Sequence, residues 1–201
     1  SLPGRRLLST HVSENAAENA DVLARFGRTP TAVLRDAGWF ADGIPPVVLG
    51  HGVHLSAQDR AVLAGAPQGA TVGHCPGSNL KLASGALPWQ ELRDAGVALG
   101  VGTDGCSSSN DLDMWAAIRQ VALLARLTSG DPACAPAEDV IRAATQGGAQ
   151  ALGMGDLIGS VEVGKRADLL LLDLHQPHLT PIHDVAALIV THNPAQLPDG
   201  T

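Results

Sequence analysis

Aromatic side chains are almost missing from this sequence, with two Phe, three Trp and no Tyr among 201 residues. A core that cannot rely on rings must be built from Ala, Val and Leu, which dominate the 45% apolar content. Cysteine is scarce too. Cys75, Cys106 and Cys134 are odd in number and lack C-x-x-C spacing, which argues against a disulfide framework and for a reducing compartment, the cytoplasm. Basic residues are outnumbered, and a net charge of −7 excludes a general nucleic-acid surface. No apolar run reaches membrane-span length, and the most apolar stretch, 167–174, contains Asp168 and Asp173. The first residues have neither an apolar leader segment nor a starting Met. A chain that enters a strand so early is expected to be a piece of a longer protein. No G-x-S-x-G elbow occurs, which argues against a serine hydrolase.

Twenty-three Gly and thirteen Pro suit a compact α/β chain with many tight turns. Short apolar runs alternate with helical ones. Residues 6–12 read as a strand running into His11, followed by helical stretches at 14–26 and 30–37, the second capped by Thr29 with Pro30 at its first position. Residues 46–50 form a second strand ending at His51, and Ser56 then caps a helix over 57–66 with Asp59 three positions on. Residues 70–73 lead to His74, and 88–95 are helical and closed by Gly96. Residues 97–101 lead to Gly102-Thr103-Asp104, with helices predicted over 111–127 and 136–152.

Four βα units with short apolar strands predict a parallel sheet buried on both faces. His11, His51, His74 and Asp104 all fall at strand C-terminal ends, the edge that carries active sites in barrels and in open sheets alike. A whole (β/α)8 barrel takes roughly 250 residues, so residues 1–154 amount to about half of one. Residues 155–201 differ in kind: a turn-rich segment, a β-run at 169–174, a loop at 177–181 and an apolar stretch at 185–190. They read as a small β appendage.

Histidine can bind a divalent metal through its neutral imidazole, and Glu14, three residues after His11, can reach the same pocket as an acid or base. In isolation H-x-x-E is a weak motif, better explained by a surface histidine beside a helix-starting Glu. Within Gly50-His51-Gly52-Val53-His54, His51 comes first after the strand, so it is the functional choice and His54 the structural one. His74, followed by Cys75-Pro76, is as readily a buried structural histidine. Asp104 lies in Gly102-Thr103-Asp104-Gly105, where a carboxylate can ligate a metal and take a proton from water. An Asx turn is the plainer alternative.

His11-Val12-Ser13-Glu14, Gly50-His51-Gly52-Val53-His54-Leu55, His74-Cys75-Pro76-Gly77-Ser78-Asn79-Leu80-Lys81-Leu82-Ala83-Ser84-Gly85 and Gly102-Thr103-Asp104-Gly105 follow one another in a specific order. Ile158-Gly159-Ser160-Val161-Glu162-Val163-Gly164-Lys165-Arg166-Ala167-Asp168-Leu169 completes it. In this the chain resembles the amidohydrolase superfamily, and within it the S-adenosylhomocysteine and methylthioadenosine deaminases with their triazine-hydrolase and guanine-deaminase relatives.

The resemblance implies the C-terminal half of a (β/α)8 barrel, about strands five to eight, plus part of a small β-sandwich. It implies one divalent metal, zinc before iron, held by His11 and Asp104, with Glu14, His51 and Asp104 handling protons and His74 and Asn79 in support near the substrate. Asp104 and His51 would deprotonate the attacking water, and Glu14 would carry a proton to a ring nitrogen. The substrate would be a small N-heterocycle, first an aminopurine or nucleoside losing ammonia, then a triazine losing chloride or an alkylamine. The family's H-x-H pair of strand one occurs nowhere in these residues. The resemblance therefore implies a chain that needs an N-terminal half and is inactive alone, with a homo-oligomer compatible. A non-catalytic binding module or pseudoenzyme fragment is the alternative. Asn15 stands where the family usually has Thr, and Cys106-Ser107-Ser108-Ser109 replaces a commoner small-residue run; neither touches a ligand.

Overall fold

The computed structural model describes residues 6–67, 69–192 and 194. Four short strands, β1 (Leu8–Val12), β2 (Val47–His51), β3 (Ala70–His74) and β4 (Ala98–Val101), lie parallel and side by side in chain order. Parallel neighbours need crossovers, and helices supply them. These are α1 (Ala16–Phe26) and α2 (Pro30–Asp36) after β1, α3 (Ala57–Ala64) after β2, and α4 (Pro76–Lys81) with α5 (Trp89–Asp94) after β3. After β4 come α6 (Cys106–Ser109), α7 (Met114–Ser129) and α8 (Ala137–Arg142). This is an α/β fold consistent with part of a (β/α)8 barrel. Among the described residues β1 and β4 each pair on one side only.

Local chemistry explains the helix starts. The Thr29 side chain accepts from the Ala32 N–H with Pro30 behind it, Ser56 and Asp59 form a reciprocal capping box, and Asp113 accepts from Trp115 and Ala116. Each such cap is worth about 1 kcal/mol. The core is aliphatic, as the composition requires. Val47, Leu49, Val72 and Leu99 meet Leu63, Leu92, Val121, Ala122 and Val140 from the helices, with Trp89 as a buried ring among them. Ala117, Ile118, Val121, Ala122 and Ala125 share one stripe of α7, and the small alanines let it lie close to its neighbours.

The helix expected over 136–152 is interrupted. Between α8 and α9 (Gly148–Ala151) the backbone widens into a π-helical turn, Ala143–Gly147. A Cβ on Gly147 would fall 2.2 Å from the Leu99 carbonyl oxygen, so this turn rests backbone to backbone on β4. A π-turn fits one extra residue there without ending the helix.

The C-terminal stretch departs from expectation. Residues 169–174 form no strand, and Leu169, Leu170 and Leu171 stand largely exposed. A β-rich run becomes a strand only beside a partner backbone, and none of the described residues provides one. The apolar stretch at 185–190 is not part of a β appendage but a helix, α10 (Val185–Thr191). It is capped by Asp184 and packs on α7 and α8, with Leu188 and Val190 buried. Residues 191–201, the end of the expected β appendage, lie mostly outside the described residues. No helix among the described residues is long and apolar enough to cross a membrane.

Candidate active site

The parallel register sets His11 beside Gly50 and Val12 beside His51, so the strand ends line up along one edge. Gly50 matters because a Cβ there would approach the His11 ring to 3.1 Å; its absence leaves room for that ring over β2. Beyond the edge the chain turns sharply. Ser13, His51 and Asp104 adopt left-handed backbone angles, φ 49°, 71° and 61°. For non-glycine residues each costs on the order of 1–2 kcal/mol, and such strain clusters at functional sites.

These turns gather the chemistry. Ligand atoms of His11, Glu14 and His51 all lie within 4.8 Å of one another, a group able to hold a metal ion. The His11 and His51 rings meet edge to face with centroids 4.8 Å apart. His51 Nε2 lies 3.9 Å from Glu14 Oε2 and 4.0 Å from Asp104 Oδ2, so Asp104 adjoins the group through His51. His51 is 1% exposed, Glu14 and Asp104 are partly covered, and His11 is open to solvent. Imidazole and carboxylate donors of this kind suit zinc and also iron. The residues therefore fit a divalent metal.

Each member is held by further residues. Ser78 Oγ donates to Asp104 Oδ2 at 2.7 Å and the Gly105 N–H to Asp104 Oδ1 at 2.8 Å. Burial works against ionisation of Asp104. The Ser78 hydroxyl, the Gly105 N–H, the Ser108 hydroxyl and nearby His51 outweigh it and hold the carboxyl below the ordinary aspartate range. Ser84 Oγ donates to Glu14 Oε1 at 3.3 Å. Glu18 takes the Ser13 and Glu14 N–H groups at 2.9 and 2.8 Å, fixing the turn that carries Glu14. Asn79 Oδ1 lies 2.8 Å from His51 Nδ1.

Ser78, Ser84 and Glu18 have no assigned role in the sequence reading. For Glu18 a signal existed: Asn15 and Glu18 have the N-cap spacing, and the Asn15 side chain accepts from the Glu18 N–H. His54 is structural, with Nε2 2.7 Å from the Ser84 carbonyl oxygen.

His74 stands apart from the metal-suited group. It is 2% exposed, packs against Trp89 with centroids 6.4 Å apart, and burial with the neighbouring His51 pushes its pKa down to about 3. Burial likewise pushes the Cys75 thiol up to about 11, with the Asp104 charge adding to it, which disfavours the thiolate. A cleft of about 470 Å³ opens beside β4 between Trp89, Arg93, Asp139 and Arg142. None of the cluster residues lines it, so it does not mark the site.

A strand-end cluster of histidines and carboxylates on a parallel α/β sheet is an arrangement that can hold a metal ion and act on water. The model of the amidohydrolase family matches residues 5–197, and the chain belongs to that family. It is 48% identical over 183 residues to 5-methylthioadenosine/S-adenosylhomocysteine deaminase of Moorella thermoacetica, covering 91% of this chain and 42% of that protein. Among solved structures it is similar to an adenosine deaminase from Xanthomonas campestris with bound zinc. The TM-score is 0.85 at 43% identity, covering 90% of this chain and 40% of the other. It is also similar to a zinc-complexed atrazine chlorohydrolase from Arthrobacter aurescens, with a TM-score of 0.82 at 30% identity over 90% and 39% of the two chains. The chain thus spans about two fifths of the length of the proteins it matches.

Proposed function

We propose that this chain forms part of a metal-dependent aminohydrolase that removes ammonia from an aminopurine or its nucleoside. The observation that carries the proposal is the His11–Glu14–His51 group with Asp104 4.0 Å from His51, in a family member whose relatives are named as adenosine-type deaminases. Chloride loss finds less support, since the chlorohydrolase is the more distant relative.

His11 and Asp104 would hold the metal, zinc before iron, and the metal when bound would make water acidic enough to be deprotonated near neutral pH. The remaining work falls to side chains. His51, buried and facing both carboxylates, would take a proton from the attacking water together with Asp104. Glu14, half open and braced by Ser84, passes a proton to the ring nitrogen, so that the carbon bearing the amino group can take the hydroxyl and release ammonia. Asn79 supports His51, and His74 stiffens the wall behind it. The assignment of residues 1–154 to the barrel's strands five to eight belongs to the same proposal. So does a β-sandwich that would cover the exposed leucines at 169–171. An N-terminal half bearing an H-x-H pair would complete the ligands, and this chain alone would be inactive.

The test compares the chain alone with the chain joined to such an N-terminal half, measuring bound metal and ammonia release from S-adenosylhomocysteine, methylthioadenosine and adenosine. The completed protein should hold about one zinc or iron and release ammonia, while the chain alone should do neither. A completed protein without metal or turnover would instead indicate a non-catalytic binding module.

A further inference from the structure

The one-and-a-half-turn helix α4 follows β3 directly and carries two buried polar residues side by side, Ser78 and Asn79. It is tied at both ends: the Asn79 N–H donates to the Cys75 carbonyl at 3.0 Å and the Ser84 N–H to the Asn79 carbonyl at 2.9 Å. It also packs on α6 and α7, where Gly77 lies against Gln120 and Ser109. The Asn79 side chain therefore points from a fixed platform. Asn79 is 1% exposed and His51 is 1% exposed, so water does not compete for the 2.8 Å contact between Asn79 Oδ1 and His51 Nδ1.

The contact is directional. An amide oxygen only accepts, so the Nδ1 it faces must carry the hydrogen. A neutral imidazole has one N–H, which leaves Nε2 bare. Nε2 is the atom that lies 3.9 Å from Glu14 and 4.0 Å from Asp104. The two carboxylates there would stabilise a proton taken up by Nε2, so the site gains a proton acceptor aimed into it. We infer that Asn79 is a positioning residue that holds His51 in the Nδ1–H tautomer and so presents Nε2 as the acceptor between Glu14 and Asp104. Its neighbour Ser78 grips Asp104 Oδ2, the carboxylate oxygen nearest Nε2, so one short helix orients both partners. The inference deepens the aminohydrolase reading, because an Nε2–H would block proton uptake from water.

The test is 15N NMR of histidine-labelled protein with chelator present, at about pH 8, above the ordinary imidazole range. Couplings from the ring carbon-bound hydrogens identify which nitrogen is protonated, and loss of the signal in His51→Gln assigns it. His51 in the unsubstituted chain should show the Nδ1–H form alone. Asn79→Ala should lose that form as the sole species, Asn79→Asp should keep it because a carboxylate also accepts, and Ser78→Ala should leave it unchanged. An Nε2–H signature in the unsubstituted chain would overturn the inference without recourse to any variant. A tautomer change in Ser78→Ala as large as in Asn79→Ala would also overturn it, by showing general loosening of α4. Neither metal nor substrate enters the measurement, so it fails or succeeds separately from the deaminase proposal.

Discussion

His51 Nε2 and Asp104 Oδ2 lie 4.0 Å apart although β3 separates the strands that deliver them. Both residues adopt left-handed backbone angles, His51 at the end of β2 with φ 71° and Asp104 in the loop after β4 with φ 61°. Asp104→Asn tests what the charge contributes there. Asparagine tolerates the left-handed region as aspartate does, and its carbonyl can still accept from Ser78. The thermal midpoint should move little while kcat of the completed enzyme falls about 10²–10⁴-fold, the usual range for a lost proton-transfer group. A fall of less than tenfold would remove Asp104 from the chemistry.

His74 makes stability depend on pH. Its pKa is about 3 in the fold against an ordinary 6.5, because burial disfavours the cation. Between those values the unfolded chain binds the extra proton, so stability rises with pH across this window and levels off above it. The slope approaches roughly 1.4 kcal/mol per pH unit. Urea midpoints measured from pH 3 to 7 should decline as pH falls below about 6.5, and His74→Phe, which keeps a ring against Trp89 without the titration, should flatten the decline.

Gly147→Ala tests the π-turn. The added methyl would fall 2.2 Å from the Leu99 carbonyl oxygen, a backbone atom that cannot rotate away. Strain of this kind costs about 1–3 kcal/mol or more. The thermal midpoint should drop by several degrees, on the order of 2–4 °C per kcal/mol for a chain of this size.

Much of this architecture was legible because its determinants are local. Thr29-Pro30 and Ser56 with Asp59 mark helix starts within a few residues, and polar residues at or just after strand ends, such as His51 and Asp104, stand out against apolar runs. What was illegible depends on distant neighbours. Ser78 meets Asp104 across 26 positions and Ser84 meets Glu14 across 70, and no spacing rule links such pairs. The leucines at 169–171 have strand composition, but pairing needs a partner backbone. The stretch at 185–190 was too short for its period to separate strand from helix. Its one local clue, Asp184, whose side chain accepts from the Ala187 N–H, is an N-cap.

The central claim divides the cluster between a residue that holds metal, His11, and one that moves protons, Glu14, although both ligand atoms fall within the same 4.8 Å group. Bound zinc and ammonia release measured on His11→Ala and Glu14→Gln in the completed enzyme separate the two roles. The account predicts that His11→Ala loses zinc and activity together. It predicts that Glu14→Gln keeps about one zinc yet loses about 10²–10⁴-fold in kcat. Full zinc in His11→Ala, or near-normal turnover in Glu14→Gln, would contradict it.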